Sequence, residues 1–262
     1  MQKRPWIFLK ILRMTKKNYI IAVIPARDGS KSIKDKNIKL LDSHPLIAYP
    51  IVLSKIVTKI DRVIVSTNSK KYAKISKSYG AEVPFLRPDK ISGDKNTDIE
   101  FFKHCINWMK KNEKKVPDLI VHLRPTTPLR EPKVVNDAIN FMLKNTSFTS
   151  LRSANKTHLT PYKMFKSKNG VMSPFMNHRK KEFYNLPRQA FEEAYIPNGY
   201  VDIIRPKVII KSKTLHGNKI KLWETPEVPD IDVQKDYIFA KNMILENKFN
   251  NLNIVKYLKE SF

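Results

Sequence analysis

The most constraining stretch of the 262-residue chain is Ile20 to Asn37, where the apolar run Ile-Ile-Ala-Val-Ile stops at Pro25 and gives way to a basic loop. A short continuous apolar run of mostly β-branched residues reads as a strand buried on both faces, and proline removes the next ladder donor. The loop gathers Arg27, Lys31, Lys34 and Lys36 around one Gly29-Ser30 turn. Glycine lets backbone approach a ligand closely, the Ser30 hydroxyl adds a donor, and guanidinium and ammonium groups supply a planar fork and point charges. Such a loop suits a phosphate, although a basic surface turn in a lysine-rich chain has the same composition. With one glycine it is neither a Walker A loop nor a dinucleotide fingerprint.

The rest of the chain continues an α/β pattern. Asp42-Ser43-His44-Pro45 offers a cap and first-turn proline for a helix over Leu46 to Val57, with Pro50 placed to kink it. Arg62 to Ser66 reads as the next strand, and Thr67-Asn68-Ser69 caps a helix that stops at Gly80. Glu82 to Leu86 reads as a short strand delivering Arg87-Pro88. Ile99, Phe102, Ile106 and Met109 recur at helical spacing beside Cys105, Asp118 to Leu123 is a buried strand, and Val134 to Met142 form a returning helix. This succession predicts an α/β chain with a parallel sheet and ligands at the carboxyl ends of its strands.

From Thr149 prolines become frequent, and the turn Lys168-Asn169-Gly170 between short apolar pairs predicts a β-hairpin. The expected division is an α/β core over 18–154, a β-rich insertion over 155–193, and the remainder of the core over 194–247. In that remainder Val201 to Ile204 and Lys219 to Trp223 read as strands and a final helix follows Asp232. Residues 1–17 read as an extension outside the fold and 248–262 as a weakly packed tail.

One cysteine, Cys105, excludes an intrachain disulfide and any cysteine-rich metal site, and suits a reducing compartment, with the cytoplasm expected. The formal charge is +26, from 50 Lys and Arg against 24 Asp and Glu, but the lysines are spread along the chain rather than gathered in one arm. That spread argues for anionic ligands in preference to nucleic acid. No run approaches the ~20 apolar residues of a membrane span. The six histidines show no metal spacing. Asp230 and Asp232 flank one apolar residue, so on an extended segment both carboxylates face one side and can share a divalent cation. The same pair before a helix also makes an N-terminal cap.

The order Ile-Pro-Ala-Arg-x-Gly-Ser-Lys-x-Ile-x-x-Lys-Asn-Ile over Ile24 to Ile38 resembles the nucleotide loop of the cytidylyltransferases that activate sialic and related nonulosonic acids as CMP-sugars. The resemblance extends to about Ala240. It implies that Ala26, Arg27, Gly29, Ser30, Lys31, Lys36, Asn37 and Arg87 bind CTP, Arg27 and Lys36 being catalytic and Arg87 approaching the cytosine. Pro125-Thr126-Thr127-Pro128-Leu129-Arg130 is similar to the family's sugar loop, and Pro187-Arg188-Gln189 with Pro197-Asn198-Gly199 to the segment carrying a sugar-binding arginine. Arg124, Thr126, Arg188, Gln189 and Asn198 are thereby implied in binding the sugar acid, and Asp230 and Asp232 in holding Mg²⁺. A Rossmann-like, mostly parallel sheet with helices on both faces and a homodimer built on the β-rich insertion are implied as well. Arg124 stands where many sialic-acid enzymes have glutamine, and Tyr-Val-Asp follows Asn198-Gly199 in place of the usual Ala-hydrophobic-Tyr. These departures leave legionaminic, pseudaminic and octulosonic acids as alternative substrates. A non-catalytic basic module that binds polyanions is the rival from another class.

Overall fold

The computed structural model describes residues 18–246 and 253–261, so the expected extension over 1–17 lies outside the described residues. Six strands form the central sheet: β1 (Ile20–Pro25), β4 (Arg62–Ser66), β5 (Leu119–His122), β6 (Ser150–Thr157), β9 (Ala194–Ile204) and β10 (Ile220–Glu224). Their order is β10-β6-β9-β5-β1-β4, and β9 alone runs antiparallel to its neighbours β5 and β6. Two small hairpins lie outside this sheet, β2 (Leu40–Leu41) with β3 (His44–Pro45), and β7 (Phe165–Lys168) with β8 (Val171–Pro174).

The apolar run of β1 is buried on both faces because its residues alternate between two cores. Ile20, Ala22 and Ile24 pack with α1 (Ala48–Ile56), α4 (Pro132–Lys144), α6 (Gln234–Leu245) and α7 (Asn253–Ser261). Ile21 and Val23 pack on the other face with α3 (Asp98–Asn112) and Ile209 of α5 (Pro206–Ser212). A strand covered twice needs no polar face, which is why its pattern is continuous. Cys105 is fully buried in the α3 layer, and burial pushes its thiol up to about 12. The helix α2 (Lys70–Ser78) starts as expected at Ser69, whose hydroxyl accepts from the Tyr72 N–H, and α3 opens on a capping box of Thr97 and Glu100.

Several local expectations are corrected. Asp42 and Ser43 do not cap a helix; both have positive φ, 45° and 72°, and form the turn of the β2–β3 hairpin. Pro50 falls in the first turn of α1, where its missing N–H costs no intrahelical bond. The expected strand over Glu82 to Leu86 is reduced to one bridge from Glu82 to Ile64, since Pro84 cannot donate to a ladder. Residues 155–157 continue β6 and pair with Ala194–Ile196 of β9, so the insertion grows from an extension of the sheet itself. Of the tail, 248–252 and 262 lie outside the described residues, and the rest packs more firmly than expected: in α7, Ile254, Val255 and Leu258 are buried against the core that includes α1.

His122 on β5 is wholly buried, lies edge-on to Phe101 and Phe102 of α3, and has no hydrogen-bond partner at either ring nitrogen. Desolvation, then the nearby charge of Arg124, hold its pKa well below the ordinary 6.5. Below that value the unfolded chain binds a proton that the folded chain refuses, so stability falls as pH falls. Denaturant unfolding between pH 7.5 and 5.5 should show this loss, and His122→Gln should flatten the slope; equal slopes would remove His122 as its source.

Candidate active site

The carboxyl ends of β1 and β5 open onto one cavity of about 220 Å³, walled by the loops leaving them and by the segment from Arg87 to Phe101. Adjacent parallel strands ending together leave a crevice that no helix fills. From β1 comes the basic loop, with Arg27, Ser30, Lys36 and Asn37 on the lining; from the region past β4 come Arg87 and the segment through Asp94 to Asp98; from β5 come Arg124 and Thr126.

The basic loop is held in shape by its own polar groups. Gly29 has φ +73°, with open space where a Cβ would stand, so conformation and not crowding demands glycine there. Asn68, at the exit of β4, accepts from the Asp28 N–H at 3.1 Å and donates to the Asp28 carboxylate at 2.6 Å. Asn37 donates to the Arg27 carbonyl at 2.9 Å and so closes the base of the loop. Ala26 is fully buried and continues the β1 ladder through its N–H to the Ser66 carbonyl; any contact it makes with a ligand is through backbone.

The cations are distributed unequally. Arg27 Nη2 and Lys31 Nζ each lie 2.6 Å from a different oxygen of Asp94. Lys36 Nζ lies 3.0 Å from Asp232 Oδ1. Arg87 is buried, donates to the Ser66 hydroxyl and carbonyl, and sits 5.0 Å above the Phe101 ring; burial lowers its pKa to about 10, which leaves it charged at neutral pH. Arg124 bridges two carboxylates, Asp98 on the rim at 2.9 Å and the buried Asp202 of β9 at 3.2 Å. The Arg124 guanidinium is therefore engaged by two acids of its own chain.

The Asp-x-Asp segment is docked between the two loops. Ile231 is buried, its N–H donates to the Thr126 carbonyl at 2.8 Å, and the flanking Asp230 and Asp232 are exposed. Ser32 donates to the Asp232 carbonyl at 2.6 Å, and Thr127 donates to the Asp230 carboxylate at 3.2 Å. Among the described residues no three His, Cys, Asp or Glu side chains are grouped to hold a metal alone. Two outward carboxylates beside a basic loop fit Mg²⁺, which takes one or two carboxylates and completes its shell with phosphate oxygens and water.

Three of the expected sugar residues lie elsewhere in the chain. Arg188 and Gln189 line a second cavity of about 330 Å³ with Lys156, Thr160 and Glu193, and Arg188 contacts His158 at 2.7 Å. Asn198 is buried, donates to the Thr225 hydroxyl at 2.7 Å and accepts from the Tyr200 N–H at 3.1 Å, bracing the bend of β9. Sequence reasoning missed Asp94 and Asp98 on the lining. Their signal was available: acidic side chains just past Arg87-Pro88 in a strongly basic chain.

A family model described as Cytidylyltransferase matches residues 21–189. The N-acylneuraminate cytidylyltransferase of Escherichia coli O18:K1:H7 is 26% identical over 91% of this chain, which spans only 54% of that protein's length. The CMP-N,N'-diacetyllegionaminic acid synthase of Legionella pneumophila is 29% identical, over 87% of this chain and 97% of its own. Among solved structures, a CMP:2-keto-3-deoxy-manno-octonic acid synthetase complexed with CTP shares the fold, with a TM-score of 0.64 at 15% identity over 88% of this chain and 100% of that one.

The two carboxylates on Arg124 differ in burial, 1% exposed for Asp202 and 39% for Asp98, and so differ in worth. Asp202→Ala strips Arg124 of its buried partner, leaving it the rim acid Asp98, and should cost about 3–5 kcal/mol in denaturant unfolding. Asp98→Ala, at the wet rim, should cost less than about 1 kcal/mol. Equal costs would show that Arg124 does not depend on the buried acid.

Proposed function

The chain belongs to the cytidylyltransferase family, and on that premise we propose that it joins CTP to a nonulosonic sugar acid, giving a CMP-sugar and pyrophosphate. The observation that carries this reading is the meeting, around one cavity, of the basic loop, Arg87 and the Arg124–Thr126 loop, with the aspartate pair tied to two of its lining residues, Thr126 and Lys36. The relatives named for N-acylneuraminate and diacetyllegionaminic acid support the substrate class.

In this mechanism the anomeric hydroxyl of the sugar attacks the α-phosphorus, the bond to the β-phosphate breaks, and pyrophosphate leaves. Catalysis is positioning and charge stabilisation, with no covalent intermediate. Ser30, Lys31 and the Gly29 backbone hold the triphosphate, while Arg27 and Lys36 meet the negative charge on the transferring and leaving phosphates. Arg87, fixed by Ser66 and Phe101, and Asn37 select base and ribose. Asp230 and Asp232 would hold Mg²⁺, which when bound neutralises phosphate charge as a Lewis acid. Lys36, in contact with Asp232, links that carboxylate to the loop.

The sugar side is completed by a second copy. Arg188 lies outside the main cavity within one chain, and the insertion exposes Val171, Met172 and Phe175, an apolar surface that supports pairing of two insertions. With Arg124 engaged by Asp98 and Asp202, recognition of the sugar carboxylate falls to Arg188.

The test is pyrophosphate release with CTP, ATP, GTP or UTP, with and without Mg²⁺, against a panel of 2-keto sugar acids. Release should require CTP, Mg²⁺ and one class of nonulosonic acid, and Arg27→Ala should lower turnover about 10²- to 10³-fold with an unchanged Tm. No release together with no CTP-dependent rise in Tm would overturn the assignment. Steeply salt-dependent retention on DNA in that case would favour a polyanion-binding module.

A further inference from the structure

Asp94 is the acidic residue through which two cations of the basic loop are held. Its carboxylate is divided between them: Oδ1 lies 2.6 Å from Arg27 Nη2, and Oδ2 lies 2.6 Å from Lys31 Nζ. The other contacts of the Arg27 guanidinium are long, to the carbonyls of Asp28 and Gly29 at 3.4 and 3.5 Å. Lys31 is 84% exposed, so this contact is made almost entirely in solvent. The two ammonium and guanidinium groups hold the Asp94 carboxyl below the usual carboxylate range, so it is anionic at neutral pH.

The segment that presents Asp94 is braced from its far side. Asn96 accepts from the Gly93 N–H at 2.7 Å and donates to the Lys90 carbonyl at 3.1 Å, and Thr97 caps α3 immediately beyond. Asp94 can thus release its partners by turning a short side chain, without unfolding the segment. A carboxylate and a phosphate present similar pairs of oxygens to the same donors, and both bind arginine and lysine through charge-assisted hydrogen bonds. Exposed ion pairs of this kind are weak and exchangeable.

We propose that Asp94 is a positioning residue that competes with substrate phosphate for Arg27 and Lys31, holding both side chains on one carboxylate until phosphate oxygens displace it and recapturing them as pyrophosphate departs. The proposal rests on the nucleotidyltransferase reading of the same cavity. It trades affinity for release: a bare cationic loop would grip the triphosphate more tightly and let the polyphosphate product go more slowly.

The experiment compares wild type with Asp94→Asn and Asp94→Glu, using calorimetric binding of inorganic tripolyphosphate and of CTP, and steady-state kinetics with pyrophosphate as inhibitor. Removal of the competing charge in Asp94→Asn should tighten tripolyphosphate and CTP about three- to tenfold. The KM for CTP and the inhibition constant for pyrophosphate should fall together, without a rise in kcat. Asp94→Glu, which keeps the charge, should stay near wild type. A merely structural aspartate predicts the reverse, a higher KM in Asp94→Asn. Unchanged or weaker tripolyphosphate binding in Asp94→Asn would overturn the proposal. Tighter tripolyphosphate binding in Asp94→Asn, with no binding of CTP by any variant, would sustain the competition and refute the nucleotide reading instead. Failure of every variant to bind tripolyphosphate would refute both.

Discussion

The reactive corner of this molecule hangs on a buried guanidinium that faces no substrate. Arg130 has no exposed surface, and its donors reach three backbone carbonyls, those of Tyr200 at 2.6 Å, Gly199 at 3.0 Å and Arg124 at 2.8 Å. Burial lowers its pKa to about 9, so it stays charged at neutral pH. It ties the loop after β5 to the bend of β9 at Gly199, where φ is +67° and an added Cβ would stand 3.0 Å from the Thr127 hydroxyl. From that anchored loop, the Thr126 carbonyl receives Ile231 and Thr127 reaches Asp230. The acid pair, 100 residues further along, thus takes its position from a backbone clamp that a lysine's single ammonium could not span.

Charge in this chain is plentiful in sum and rationed at the site. Against 50 basic residues stand 24 acidic ones, yet Arg27, Lys31, Lys36 and Arg124 in and around the cavity each have a carboxylate partner. The excess positive charge lies elsewhere, on exposed helical lysines such as those of α2 and the end of α3. Apart from Arg87, whose guanidinium donates to Ser66, the cations of the site are paired at rest, and the selectivity of the pocket depends on which anion offers the better geometry.

The fold was legible wherever one periodicity held for a full element. The β1 run, the Ser69 cap, the apolar stripe of α3 and the Asn169-Gly170 hairpin each carry their instruction within about a dozen residues. What could not be read depended on partners distant in sequence. Asp42-Ser43 has the composition of both a cap and a turn, and the two-residue β2–β3 pairing decides between them. The antiparallel entry of β9 between β5 and β6 is fixed by the insertion before it, and no local pattern encodes strand order. At the site, the basic loop and the aspartate pair announced themselves by spacing. The engagement of Arg124 by Asp202, 78 residues away, and the sharing of Asp94 by two cations are facts of tertiary geometry.

The seclusion of Cys105 has a kinetic consequence. As the chain's lone thiol, with no exposed surface and its pKa pushed to about 12, it offers almost no thiolate to a disulfide reagent while α3 stays on the sheet. Labelling must wait for that layer to part, so at saturating reagent the modification rate becomes a clock for the opening of one face. The other face, which contains no sulfhydryl, leaves the clock unperturbed.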